Sequence, residues 1–108
     1  MKEHEAQRIS TLMGVVTRIG EEVTEIHAQP GNPLEIRHAI IRRLKRATDA
    51  LAEARDLAIG DRETWVTLEV ERKRMLWCIN DVTSQCIAIE QEQEVQAAQA
   101  EAAGAVKH

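Results

Sequence analysis

The sequence contains no Phe and no Tyr, and Trp65 and Trp77 are its only aromatic residues. The Gly-aromatic signature of ribonucleoprotein domains is therefore excluded. Proline occurs twice, both times inside "AQPGNP", residues 28–33, so the chain has one clear break. The five glycines never cluster into a phosphate-cradling loop. No apolar run is long enough to cross a bilayer. The opening "MKEHEAQRIS" is charged with no apolar run behind it, so no signal peptide is expected. The expected location is the cytoplasm of a bacterium or of a phage-infected cell.

Residues that carry chemistry are also few. Ser10 and Ser84 are the only serines, and neither lies in a GxSxG context. None of the four histidines, His4, His27, His38 and His108, stands four residues from another. His27 can approach His38 across the first turn, but zinc needs more convergent ligands than two. Cys78 and Cys86 lie two helical turns apart, about 12 Å along an axis, too far for a disulfide within one helix. Both are expected to be small buried hydrophobes of a reducing compartment, since no His is placed to activate either as a nucleophile. Asp81, Glu21 and Glu22 are carboxylates of a kind found on any helical surface. No enzyme activity, metal or cofactor is expected.

What is present is helix. Ala, Glu, Gln, Arg and Leu together make up about half of the chain, the composition of a helical protein, and 108 residues suffice for one domain with its own core. Residues 4–28 carry Ile9, Leu12, Val16, Ile19, Val23 and Ile26 at alternating spacings of three and four, a heptad seam. Asn32 followed by Pro33 is the cap and first residue of a second helix, expected to run to about 59. Its seam is Ile40, Leu44, Ala47, Leu51, Ala54 and Ala58, closed by Gly60 as a left-handed terminator. Asp61 then caps a third helix over 62–89, with the seam Trp65, Leu68, Arg72, Met75, Ile79, Val82, Cys86 and Ile89. "TWVTLEV", residues 64–70, alternates like a strand, but no partner strand is encoded. After Ile89 the apolar face vanishes, and residues 90–108 are an Ala/Glu/Gln-rich helical extension or frayed tail. The expected fold is all-α, an antiparallel three-helix bundle (domain 1–89) with an overlong third helix.

On a wheel with Trp65 at zero, the core residues Leu68, Met75, Ile79, Val82 and Cys86 fall at about 260–320°. Val66, Val70 and Trp77 fall at about 100–140°, nearly opposite. A helix apolar on two sides needs two covers. Either the third helix lies buried between its neighbours, or Val66, Val70 and Trp77 form an interface. The simplest interface is with a second copy of the chain, making a homodimer through the third helix.

The formal net charge of −4 argues against nucleic-acid binding by the whole surface. The distribution is uneven. "RHAIIRRLKR", residues 37–46, holds five positive charges and no negative one. A turn at Gly60 brings it towards "RKR", residues 72–74. Arg42, Arg43, Lys45, Arg46, Lys73 and Arg74 then form a basic belt, with His38 and Arg18 nearby. Such a belt is either solvated surface, with Lys45 and Arg46 reaching Asp49, or a patch for an anionic partner. An acidic protein, a nucleic-acid backbone, or Glu90, Glu92 and Glu94 of another copy would all fit. The sequence thus supports a non-enzymatic protein-interaction module first, an adaptor, regulator or inhibitor. A nucleic-acid-binding accessory protein is the alternative.

Overall fold

The computed structural model describes residues 1–106. It consists of three helices, α1 (Glu3–Ala28), α2 (Pro33–Leu57) and α3 (Arg62–Val106), and contains no strand among the described residues. "TWVTLEV" is helical, because a lone strand would leave its backbone polar groups without partners. The last two residues of the 90–108 segment lie outside the described residues; up to Val106 the segment continues α3 without a break.

The helix starts follow from local chemistry. The Asn32 side chain accepts from the backbone N–H groups of Leu34 (2.9 Å) and Glu35 (3.2 Å), and Pro33 follows it with φ already suited to the helix. At α3 the Asp61 carboxylate accepts from the Thr64 N–H (3.3 Å) and hydroxyl (2.9 Å). These bonds, the hydroxyl first, hold the Asp61 carboxyl below its ordinary range. The end of α2 differs from expectation. The helix stops at Leu57, two residues early, and Gly60 does not take a left-handed conformation. The turn is closed by the Ala58 N–H to the Arg55 carbonyl (3.0 Å) and the Asp61 N–H to the Ala58 carbonyl (2.9 Å). These bonds occupy the Arg55 and Ala58 carbonyls and turn the chain without a glycine in the left-handed region.

α2 is the middle of the bundle. Its buried face is Ile40, Leu44, Ala47, Ala50, Leu51 and Ala54, and α1 and α3 pack on either side of it. No Cα of α1 lies within 8 Å of one in α3 among the described residues. The Cα envelope is accordingly long and flat, 76 × 23 × 13 Å. Alanine explains how one helix serves two neighbours: Ala47, Ala50 and Ala54 let backbones approach closely while Leu51, fully buried, fills the centre. Leu12 of α1 and Leu68 of α3 complete this cluster, with Ile9, Val16, Trp65 and Met75 packed around it.

Ion pairs and one arginine–amide hydrogen bond mark the register. Arg8, near the start of α1, bonds Glu53 in the last turns of α2 (2.9 Å), and Arg43 bonds Glu22 near the end of α1 (3.1 Å). Arg55 bonds Glu69 (2.7 Å), and Arg37 at the start of α2 bonds Gln85 far along α3 (2.9 Å).

A candidate interaction surface

α3 is 45 residues long, about 67 Å, whereas α2 has 25 residues to offer it as a partner. Its inner seam behaves as the spacing requires. Leu68 and Cys86 are buried, and Trp65, Arg72, Met75, Ile79, Val82 and Ile89 are half-buried. Arg72 is the one charged residue on that seam. It donates two bonds to Glu69, at 2.9 and 2.6 Å, and Glu69 also accepts from Arg55 of α2 at 2.7 Å. The Arg72 guanidinium, with that of Arg55, pulls the Glu69 carboxyl down to about 2 from its ordinary 4.5. The cluster therefore stays ionised as a two-arginine, one-glutamate knot between α2 and α3. Two sequence signals mark it: a charged Arg72 within an otherwise apolar seam, and the i, i+3 spacing of Glu69 and Arg72.

The opposite face of α3 has no cover. Val66 is 44% exposed, Val70 45% and Trp77 76%. Burial of this stripe between α1 and α2, the first of the two explanations for it, does not occur. α3 sits at an edge of the bundle with α2 alone beside it, so the face turned away from α2 meets solvent. The exposed face also extends further than the three residues. Leu76 and Ile87 border it on one side, and Val95 continues it into the part of α3 beyond the bundle. A shallow depression of about 270 Å³ lies beside the Trp77 indole, lined by Asn80, Asp81 and Ser84.

The basic belt is thinner than its sequence suggests. Arg42, Lys45 and Arg46 are exposed on the outer face of α2, and none of them forms an ion pair among the described residues, Asp49 included. Arg43 is drawn to α1 by Glu22 and leaves the group. Lys73 and Arg74 are exposed on α3, where Arg74 bonds Glu71 at 3.0 Å. The two basic runs are also offset. With Arg55 at Glu69 and Arg37 at Gln85, Arg74 stands level with the Asp49 region of α2, about one turn past Arg46. The Ala58–Asp61 turn moves the register along α3.

The sequence contains no hint of a groove between α1 and α3 over the first half of α2. It encloses about 280 Å³ between Val23 and His27 of α1, Ile40 and Leu44 of α2, and Cys78 and Val82 of α3. Its rim is a hydrogen-bonded chain: Arg37 donates to Gln85 (2.9 Å), and Gln85 donates to Asp81 (3.2 Å). The two cysteines consequently differ. Cys86 is buried as expected, but Cys78 is exposed, in the lining of this open groove.

Among the described residues, no helix is long and apolar enough to cross a membrane, and no three His, Cys, Asp or Glu side chains gather as a metal site. Comparison of the chain with protein-family models, curated proteins and solved structures finds no match in any of the three.

Proposed function

We propose that this chain is a non-enzymatic helical interaction module of the cytoplasm, an antiparallel three-helix scaffold that self-associates through the outer face of α3. As an adaptor, regulator or inhibitor it would bind other proteins with the assembled surface. One observation carries this reading. Val66, Val70 and Trp77 share a face opposite the core seam, and all three are exposed, Trp77 at 76%. A line of this kind on a soluble helix is an aggregation liability unless something covers it, and Trp is the residue most enriched at interface hot spots. A twofold pairing of α3 with itself covers both copies at once.

Sedimentation velocity tests it. The chain should sediment as a dimer at micromolar concentration. Trp77→Ala removes an indole that buries on the order of 150–250 Å². Truncating a hot spot of that kind costs about 2 kcal/mol or more, roughly a 30-fold loss of affinity. The variant should shift to monomer with its helical circular dichroism intact. Trp65→Ala provides the contrast: Trp65 packs on the bundle core, so its loss should cost about 3 kcal/mol of folding stability. A wild-type chain that stays monomeric at high concentration overturns the proposal.

A second reading has its own support. Arg42, Lys45 and Arg46 stand together on the outer face of α2 with no ion-pair partner among the described residues. A nucleic-acid-binding accessory protein would use them to neutralise phosphates. In that case the chain is retained on heparin at low salt and released as salt shortens the Debye length to about 8 Å. Arg42→Glu with Arg46→Glu should abolish retention. A wild-type chain that never binds heparin removes this alternative.

A further inference from the structure

We infer that the cover of the Val66–Trp77 stripe is the projecting end of α3 from a second copy, laid antiparallel with the twofold axis near Ser84. This rests on the self-association proposed above and specifies its geometry.

The first support is that the exposed stripe and the projecting segment lie on one line of the same helix. Continuing the wheel past Trp77, Ser84, Ala88, Gln91, Val95 and Ala102 share its angle within about 40°, and Ala98 lies about 60° from it. They follow Val66, Val70, Lys73 and Trp77 at intervals of three, four or seven. That is the repeat of a helix–helix seam. All of these positions are exposed, and everything from Glu90 to Gly104 has no cover from its own chain.

The second support is size. The first half of the stripe is bulky, with Val66, Val70, Lys73 and Trp77; the second half is mostly small, with Ser84, Ala88, Ala98 and Ala102 beside Gln91 and Val95. A parallel pairing would place Trp77 on Trp77 at one end and alanine on alanine at the other, leaving gaps. An antiparallel pairing about Ser84 sets Val66 against Ala102, Val70 against Ala98 and Trp77 against Gln91 of the second copy. Val66 and Val70 then meet alanines, Trp77 meets an unbranched Gln, and Lys73 lies beside Val95, along a contact of about 54 Å. The depression beside Trp77, with Ser84 and Asn80 in its lining, receives Ala88.

The third support is charge. Lys73 lies on one flank of the stripe and Arg74 on the other. In the antiparallel register, Glu94 of the second copy falls on the Lys73 flank and Glu92 on the Arg74 flank, each within about one turn. A parallel pairing instead puts the two "RKR" runs together. The existing Arg74–Glu71 pair is an obstacle of little weight, since Arg74 is 71% exposed and such pairs contribute almost nothing.

Cross-linking decides the register. On a Cys78→Ser background, which removes the exposed thiol and keeps buried Cys86, Val70→Cys and Ala98→Cys are made separately. Both sites are exposed helix surface, so neither variant should disturb the fold. Oxidation of the mixture should give a disulfide-linked pair of one Val70→Cys and one Ala98→Cys chain. Val70→Cys alone should not cross-link, because its two copies would lie about 42 Å apart along the axis. Charge reversal supplies an independent check: Glu92→Arg with Glu94→Lys should weaken the dimer about tenfold, and adding Lys73→Glu with Arg74→Glu should restore it. A Val70→Cys homodimer means parallel pairing, which overturns this inference and leaves self-association standing. A dimer that resists both tests places the contact elsewhere, and overturns it also. A monomer in sedimentation removes both.

Discussion

Alanine meets opposite fates in the two halves of this molecule. In α2, Ala47, Ala50 and Ala54 are buried at the centre of the bundle. In the last turns of α3, Ala97, Ala98, Ala100, Ala102 and Ala103 are all exposed. Helix propensity is high in both, so it does not distinguish them. What differs is the company. The α2 alanines are interleaved with Ile40, Leu44 and Leu51, large side chains that hold neighbouring helices while the alanines admit their backbones. The α3 alanines are interleaved with Gln and Glu, and only Val95 stands among them. A helix made from propensity alone is marginal in water; one made from an apolar face recruits a neighbour. The difference between a core and a projecting arm in this chain is a few leucines.

The largest break in that comparison is Leu51→Ala. Leu51 has no exposed surface and joins all three helices. Its truncation leaves a cavity among alanines that are too small to collapse into it. The expected loss is about 3–4 kcal/mol, read as an earlier urea midpoint with an unchanged slope. An equally stable variant would mean that the centre of α2 is not the keystone of the bundle.

A smaller effect is expected at the polar knot that fastens α3 to α2. Glu69→Gln leaves Arg55 and Arg72 without their shared anion, at a cost of about 1–3 kcal/mol. The pH dependence has a definite sign. The Glu69 carboxyl titrates at about 2 in the folded chain against an ordinary 4.5, so its contribution is full above about pH 4.5 and is lost as pH falls towards 2. The stability gap between wild type and Glu69→Gln should therefore narrow across that window. A gap that is constant from pH 6 to pH 2 would detach the effect from this ionisation.

The smallest effect separates the arm from the core. Ala100→Gly lies off the proposed contact line on exposed helix. It should lower local helix stability by about 1 kcal/mol and leave the urea midpoint of the bundle in place. Hydrogen exchange should show it as faster amides near residue 100, with those of α2 unchanged. A shift of the global midpoint would tie the arm to the core more closely than its exposure indicates.

Much of this architecture is legible in the chain. The seams of α1 and α3, the cap at Asn32, the cap at Asp61 and the unusual position of Trp77 are all local patterns read from spacing. Gly60 misled because a Gly after a helix suggests a left-handed terminator, while backbone bonds around Ala58 do the same work. Cys78 misled because its own helix gives no sign that an open groove lies beside it. The belt of Arg42, Arg43, Lys45, Arg46, Lys73 and Arg74 reads as one patch along the chain, yet Glu22 draws off Arg43 and the register offsets the rest.

The division has a physical basis. Helix periodicity, capping and the angle between two stripes on one helix are set by 3.6 residues per turn and by neighbours within a few positions, so the sequence alone determines them. Whether a stripe is covered depends on how many helices surround it and at what distance, which no local pattern encodes. Only the tertiary structure decided that α2 stands between α1 and α3, that a groove opens between those two, and that the outer face of α3 carrying Val66, Val70 and Trp77 meets solvent.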